Sequence, residues 1–276
     1  MVDWMLRLHS RPRRAHMLRE RQRWAERLLD TDQAAGETEL RRVIDLCRQR
    51  LGDRDLTTLD AEFSLGVTLA HAARYAEAAT TMGETMARYD VSLAEHRDKQ
   101  RFVRAGLWSA RAELGERERA VRELRALVDE ARVEVGDNAD STLHCGRQLA
   151  SVLNDDGQYA EAVAVMTKVV AGRTRRNGAD HQLTRCARHD FGLYLVDVGE
   201  LDRAEQELAA GVAAPDTHVS CVIVAAYGAG RVAAGRGHLV DARRLLESAV
   251  QGWTDLFGPH HPSVGLARNR LAELDG

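Results

Sequence analysis

The sequence repeats itself every 42 residues, and this period limits the possible folds more than any other feature. Gly52, Gly136 and Gly178 are separated by 84 and 42 residues, so they hold the same place in their units. A turn motif follows the same register, at intervals of 42 residues and a final interval of 38. It begins at Ala73, Gly115, Gly157, Gly199 and Gly237. Five copies in one register indicate stacked supersecondary units that share a continuous core.

The unit at 136–177 shows what each copy contains. One apolar stripe precedes the turn and a second follows it, both with residues three or four apart. This spacing places the apolar side chains on one face of a helix. The two stripes consist of Leu149, Ala150, Leu153 and then Ala162, Met166, Val169 and Val170. We therefore expect a pair of helices per unit, and the β-branched run at 219–224 lies in a register that also requires helix.

These patterns resemble a known repeat family. Two helices joined by Gly-x-Tyr-x-x-Ala at 157–162 resemble the tetratricopeptide repeat (TPR). The 42-residue period and the loop Phe-Gly-Pro-His-His-Pro-Ser at 257–263 resemble its kinesin-light-chain subtype. The resemblance implies an all-α fold, an α-α superhelix (TPR solenoid) of about six helix pairs plus a C-terminal capping helix. It implies partner binding, with the first helix of each pair lining the concave side.

The repeat register divides the chain into units of one solenoid spanning 1–276. In the third unit Trp108 stands where a small residue is expected, which predicts a local distortion. A shortened loop at 213–217 accounts for the 38-residue interval. The expected units are a degenerate N-terminal pair at 1–51, repeats at 52–93, 94–135, 136–177, 178–215 and 216–257, and a capping helix at 258–276.

Charge does not favour nucleic acid as a partner. The formal net charge is −3, although eight arginines precede Leu29. These arginines could form a basic arm for nucleic acid or an acidic partner. We favour a solvated face of the first helix, because the stretch lacks the interleaved aromatic residues that stack on bases. Nucleic-acid binding is therefore unlikely on sequence grounds.

Cysteine usage and hydropathy predict a cytoplasmic protein. The four cysteines are dispersed without a Cys-x-x-Cys motif, which favours reduced thiols. The N-terminus lacks an apolar run of signal-peptide length, and no stretch reaches the ~18 apolar residues of a membrane span. Richness in arginine and alanine suggests a bacterial source with a GC-rich genome.

The concave face implied by the resemblance supplies the candidate binding residues. Its polar middle would contact the backbone or a carboxylate of a peptide, and its aromatic residues would contact apolar side chains. The paired asparagines of many kinesin-light-chain-like units are not found here. The candidates are Phe63, Ser64, Phe102, His144, Arg147, Gln148, Ser151, Cys186, His189, Asp190, Tyr227 and Arg231. They could instead be solvated concave residues without a ligand.

Two functional hypotheses follow. The first is a non-enzymatic scaffold or adaptor that binds a protein or peptide and needs no cofactor or metal, with bacterial signalling or regulation as its candidate setting. The second is an enzyme or a small-molecule or metal-binding protein that uses His144, Cys186 and His189. Cysteine and histidine can bind zinc or form a nucleophilic pair, here with Asp190 nearby. We favour the first hypothesis, since neither a fourth metal ligand nor an oxyanion site is evident.

Overall fold

A computed structural model describes residues 10–212 and 219–275, and within these residues it contains thirteen α-helices and no β-strand. The helices are α1 Arg11–Leu28, α2 Gln33–Leu51, α3 Leu56–His71, α4 Tyr75–Met86, α5 Ala94–Glu113, α6 Arg117–Val135, α7 Asp140–Asp155, α8 Tyr159–Asn177, α9 Gln182–Asp197, α10 Leu201–Gly211, α11 Val219–Gly235, α12 Leu239–Phe257 and α13 Pro262–Ala272. This confirms the all-α fold built from helix pairs. The predicted short loop at 213–217 lies outside the described residues.

The helices form two compact units. Unit 1, Met1–Glu116, contains α1–α5, and unit 2, Arg117–Gly276, contains α6–α13. Within each unit, consecutive helices pack against each other. The boundary between the units falls in the turn that joins α5 to α6, inside the repeat at 94–135. Trp108 belongs to the same repeat and is buried in α5, with the guanidinium of Arg111 4.9 Å from its ring centroid.

The recurring turn residues are explained by backbone conformation. Each turn glycine, at 115, 157, 199 and 237, has a φ between 77° and 99°. This left-handed conformation suits glycine because it has no Cβ. The first turn carries Ala73 at φ 58°, the one positive-φ residue other than glycine among the described residues. The turn that joins two helices therefore favours glycine, although Ala73 also adopts this conformation.

The loops between pairs repeat their own hydrogen bonds. The hydroxyls of Thr58, Thr142 and Thr184 each donate to a glycine carbonyl six residues earlier, all at 2.8 Å. The side chains of Asp55, His181 and His261 accept backbone N–H groups at the starts of α3, α9 and α13. Such caps satisfy amides that have no partner within the helix. The helix-capping residues of these loops therefore include Asp55, His181 and His261.

The core follows the apolar stripes of the sequence. In unit 2, Leu149, Ala150 and Leu153 of α7 are buried, and so is Met166 of α8. Small residues allow close packing at these contacts. A Cβ added to Gly192 of α9, for example, would lie 2.6 Å from Cγ of Leu208 in α10. Each first helix therefore buries one stripe against its partner, and an adjacent stripe remains partly exposed.

Candidate partner-binding face of unit 2

The first helices of three consecutive pairs in unit 2 each carry a row of partly exposed residues. Helix α7 contacts α9, and α9 contacts α11. Residues three or four apart in a helix share a face, so each row is continuous. We call these rows the first-helix face: His144, Arg147, Gln148 and Ser151 on α7, Cys186, Asp190, Leu193 and Asp197 on α9, and Cys221, Val224 and Arg231 on α11.

An ion pair joins the first two helices of this face. Nε of Arg147 lies 2.6 Å from Oδ2 of Asp190, and their side chains are 40% and 24% exposed. The negative charge of Asp190 is the main cause that raises the pKa of the Arg147 guanidinium. A solvent-exposed pair contributes only about 0–1 kcal/mol to stability. The pair therefore orders two charged groups that remain accessible.

A second polar link joins all three helices. Nδ2 of Asn154 in α7 donates to Oδ2 of Asp197 at 3.2 Å, and Nη2 of Arg231 in α11 donates to Oδ1 of Asp197 at 2.6 Å. The guanidinium of Arg231 also lies 5.7 Å from the ring centroid of Tyr227. The sequence analysis did not single out Asn154 or Asp197. Their separation of 43 residues, the same as between Arg147 and Asp190, could have indicated them.

A buried tyrosine supports the middle of the face. Tyr194 of α9 is 7% exposed, and its hydroxyl shares a hydrogen bond with Ser151 of α7. Burial, with a further contribution from the negative charge of Asp190, raises the pKa of Tyr194. The tyrosine therefore remains neutral and holds Ser151 in place. Sequence reasoning missed it, because an aromatic residue on a packing helix is ordinarily read as core.

Two predicted binding residues are buried instead of exposed. His189 is 2% exposed, and a Cβ added to Gly211 would lie 2.1 Å from its Nε2, so the imidazole packs directly against α10. Desolvation lowers the pKa of His189. Tyr227 is 3% exposed, and its ring centroid lies 5.2 Å from that of Trp253 in α12. Both predictions of an exposed side chain are wrong, because each residue points toward the second helix of its own pair.

His189 does not join the proposed cluster of His144, Cys186 and His189 on the first-helix face. Sγ of Cys186 lies 3.5 Å from Sγ of Cys221, whereas His189 packs against Gly211. Across residues 10–212 and 219–275, no group of three or more His, Cys, Asp or Glu side chains could hold a metal ion. The geometry therefore gives no support to the second hypothesis.

The candidate residues of unit 1 make contacts within that unit. Oγ of Ser64 in α3 donates to Glu26 at 2.7 Å and accepts from Nε2 of Gln22 in α1 at 3.0 Å. Phe63 packs at the edge of a core cluster that contains Met82, and Phe102 of α5 is half-buried. These contacts tie Ser64 and Phe63 to neighbouring helices.

The N-terminal arginines also contact their own chain. Arg11 donates to the carbonyl of Leu51 at 3.1 Å and lies 3.0 Å from a carboxylate oxygen of Asp55. Four arginines of α1 have such partners: Arg11 with Leu51 and Asp55, Arg19 with Thr57, Arg21 with Glu39, and Arg23 with Glu20. This arrangement favours the interpretation as a solvated, internally paired helix face. Arg7 lies outside the described residues.

Within the described part of the chain, no helix has the length and apolar character needed to cross a membrane.

Comparisons with known proteins agree with the repeat. Family models described as tetratricopeptide repeat match residues 138–214 and 228–263. The TPR-like repeats of a kinesin light chain candidate from Podosopora anserina superpose with a TM-score of 0.51 at 19% identity, over 71% of this chain and 95% of that one. A Rap protein complexed with competence and sporulation factor superposes with a TM-score of 0.63 at 13% identity, over 99% and 78% of the two chains. No curated protein matches significantly. At these identities the two structures are evidence of fold alone.

Proposed function

Since the chain is a tetratricopeptide-repeat protein, we propose that it is a non-enzymatic scaffold that binds a peptide or protein partner on the first-helix face of unit 2. The observation that carries this proposal is the partly exposed Arg147–Asp190 pair, which orders charged groups between neighbouring helices. Tetratricopeptide repeats commonly present such a surface to partners, because stacked repeats create an extended concave surface.

The chemistry of the face suits an extended peptide. Gln148 and Arg147 can donate to backbone carbonyls, and Arg147 can also bind a carboxylate. The carboxylates of Asp190 and Asp197 can accept backbone N–H groups. Leu193 and Val224 are partly exposed and offer apolar contacts. A peptide backbone alternates donors and acceptors, and this face presents both on adjacent helices.

Preorganisation favours the same interpretation. The bond to Asp190 holds the Arg147 side chain, and the bond to Asp197 holds Arg231. Ordering a flexible side chain on binding costs about 0.5–1.5 kcal/mol, so side chains that are already ordered lose less. The Rap protein of similar fold was crystallised with competence and sporulation factor, so this fold can hold a separate factor, and we propose binding of a partner here as well.

Affinity capture tests the proposal with a matched pair of variants. The Arg125–Glu161 pair in α6 and α8 has a distance of 2.7 Å and exposures of 44% and 43%, close to those of Arg147–Asp190 but on second helices. Native cell extract is passed over immobilised wild type, Arg147→Ala and Arg125→Ala, and recovered proteins are quantified by mass spectrometry.

We expect Arg147→Ala to lower recovery of the partner about tenfold, which corresponds to about 1.4 kcal/mol of binding free energy. Arg125→Ala should recover as much partner as wild type, and both variants should keep the wild-type circular dichroism. Equal recovery by all three proteins, or an equal loss in both variants, would contradict the proposal. Tyr227→Ala is unsuitable as a binding test, because Tyr227 is buried.

A further inference from the structure

Two cysteines from consecutive helix pairs meet on the first-helix face. Sγ of Cys186 in α9 lies 3.5 Å from Sγ of Cys221 in α11, and both residues are partly exposed. The other two cysteines, Cys47 and Cys145, are fully buried. The contact therefore joins the two partly exposed cysteines, and it is available to small molecules in solution.

The distance between the two sulfurs is close to bonding range. A disulfide has an S–S length of about 2.05 Å, so the sulfurs would have to approach by roughly 1.5 Å. Cys221 is the third residue of α11, in the first turn, where a helix has fewer internal hydrogen bonds than in its middle. A small rotation of the Cys221 side chain and its turn can supply this approach.

The surroundings distinguish the two thiols. The hydrogen bond with Cys186 is the main cause that raises the pKa of Cys221, and burial adds to it. Cys221 therefore gives up its proton less readily than an isolated thiol, which leaves Cys186 as the proposed first nucleophile. The charge of Arg147 interacts with Cys186 across the face. A nearby cation favours a thiolate, which is the reactive form of cysteine.

We propose that Cys186 and Cys221 form a reversible disulfide that links α9 to α11, with a small-molecule disulfide such as oxidised glutathione as the oxidant. The Cys186 thiolate attacks one sulfur of oxidised glutathione, which forms a mixed disulfide and releases one glutathione thiolate. The Cys221 thiolate then attacks Sγ of Cys186, forms the Cys186–Cys221 bond and releases the second glutathione. Two protein thiols are oxidised, one glutathione disulfide is reduced to two thiols, and the two protons pass to the two glutathiones.

The position of the crosslink connects oxidation to the proposed binding face. Cys186 lies four residues before Asp190, so the two side chains are neighbours on one face of α9. A covalent bond between α9 and α11 fixes the spacing of these helices beside the Arg147–Asp190 pair. The redox state of the pair would thereby alter the face that a partner contacts, whereas disulfide formation itself does not depend on any partner.

Thiol counting in the purified full chain tests the proposal. The protein is equilibrated in mixtures of reduced and oxidised glutathione, its remaining thiols are alkylated in denaturant so that buried thiols also react, and its mass and crosslinked peptides are determined. Wild type should fall from four alkylated cysteines to two, with a peptide that joins Cys186 to Cys221, and dithiothreitol should restore all four. Cys145→Ala is the matched control, since it removes a buried thiol and should still lose two.

The variants Cys186→Ser and Cys221→Ser should form no intramolecular disulfide. A rise in the thermal midpoint on oxidation is expected in wild type and in Cys145→Ala, and it should be absent from the two serine variants. The proposal is overturned if wild type keeps all four thiols in fully oxidised glutathione. It is equally overturned if wild type gives only glutathione adducts, or if the crosslink joins a different pair.

Discussion

Two acidic side chains, one in each unit, lie in different environments, although both units are built from the same repeat. In unit 1, Glu62 of α3 is buried and accepts hydrogen bonds from Arg48 at 2.8 Å, Arg88 at 2.9 Å and Thr85 at 3.1 Å. In unit 2, Asp190 of α9 is 24% exposed and pairs with one arginine. The buried carboxylate cannot reach a partner, whereas the exposed one can.

Ser64 in unit 1 and Asp190 in unit 2 occupy the same position of the repeat, and their contacts also differ. Ser64 lies 126 residues, or three periods, before Asp190. The hydroxyl of Ser64 is bonded within unit 1 to Gln22 and Glu26 of α1, whereas Asp190 carries a charge that bonds Arg147 of α7. One position of the repeat thus serves helix packing in unit 1 and presents a charge in unit 2. Under the proposed function, the first set of contacts contributes to stability and the second set contributes to binding.

The largest expected effect is at Glu62. Glu62→Ala removes the buried carboxylate that holds Arg48, Arg88 and Thr85, and should lower the free energy of unfolding by about 2 kcal/mol, since the mostly buried Arg88 loses its carboxylate partner. Urea unfolding followed by circular dichroism measures the change. An exposed ion pair contributes less than about 1 kcal/mol to stability. If Glu62→Ala lowers the free energy of unfolding by no more than this, Glu62 and Asp190 do not differ in the way described.

The next effect concerns helix packing in unit 2. Gly211→Ala would place a Cβ 2.1 Å from the buried imidazole of His189, and overpacking of this kind costs about 1–3 kcal/mol. Gly83→Ala in α4 of unit 1 is the control, because a Cβ there meets no atom within 4 Å. This control should gain about 0.5–1 kcal/mol from better helix propensity. Thermal unfolding of both variants measures the effects, and a stabilising Gly211→Ala would refute the packing of His189 against α10.

A smaller effect is expected at the turns. Gly157→Ala would force a Cβ into a left-handed turn at φ 77° and should cost about 1 kcal/mol. Ala73→Gly makes the reverse change in unit 1, where φ is 58°, and should be neutral or gain up to about 1 kcal/mol. The denaturation midpoints of Gly157→Ala and Ala73→Gly are therefore expected to shift in opposite directions. Shifts of the same sign would show that the left-handed turn does not favour glycine over alanine.

The smallest effect on stability is expected at Asp190. Asp190→Ala breaks an exposed pair and should change the free energy of unfolding by less than about 1 kcal/mol. Partner capture should nevertheless fall, as for Arg147→Ala, because Arg147 loses the group that orders it. Glu161→Ala, which breaks the Arg125 pair on second helices, should have the same small effect on stability and none on capture. If Asp190→Ala fails to fold, Asp190 stabilises the structure as Glu62 does, and the contrast between the two residues is wrong.

The repeat period predicted the helix pairs and their turns, because these depend on local spacing and on glycine. Period alone does not give the rotation of a helix about its axis. His189 and Tyr227 were therefore placed on the exposed face, although they turn toward α10 and α12.

Contacts between consecutive first helices were the hardest to predict. Cys186 and Cys221 are 35 residues apart, and Asp197 and Arg231 are 34 apart, so neither pair follows the 42-residue period. The shortened interval before α11 shifts the register there by about one helical turn. Only the positions of the helices in space bring these side chains together, which is why sequence reasoning missed both contacts.

Photo-crosslinking tests most directly the claim that the first-helix face of unit 2 binds the partner. A photoreactive amino acid is introduced in place of Gln148 on α7 or, as the control, in place of Arg125 on α6. The partner recovered by affinity capture is added, and the mixture is irradiated and separated by mass. The account predicts a crosslink from position 148 and none from position 125. A crosslink from position 125 alone, or no crosslink from position 148 to a bound partner, would contradict it.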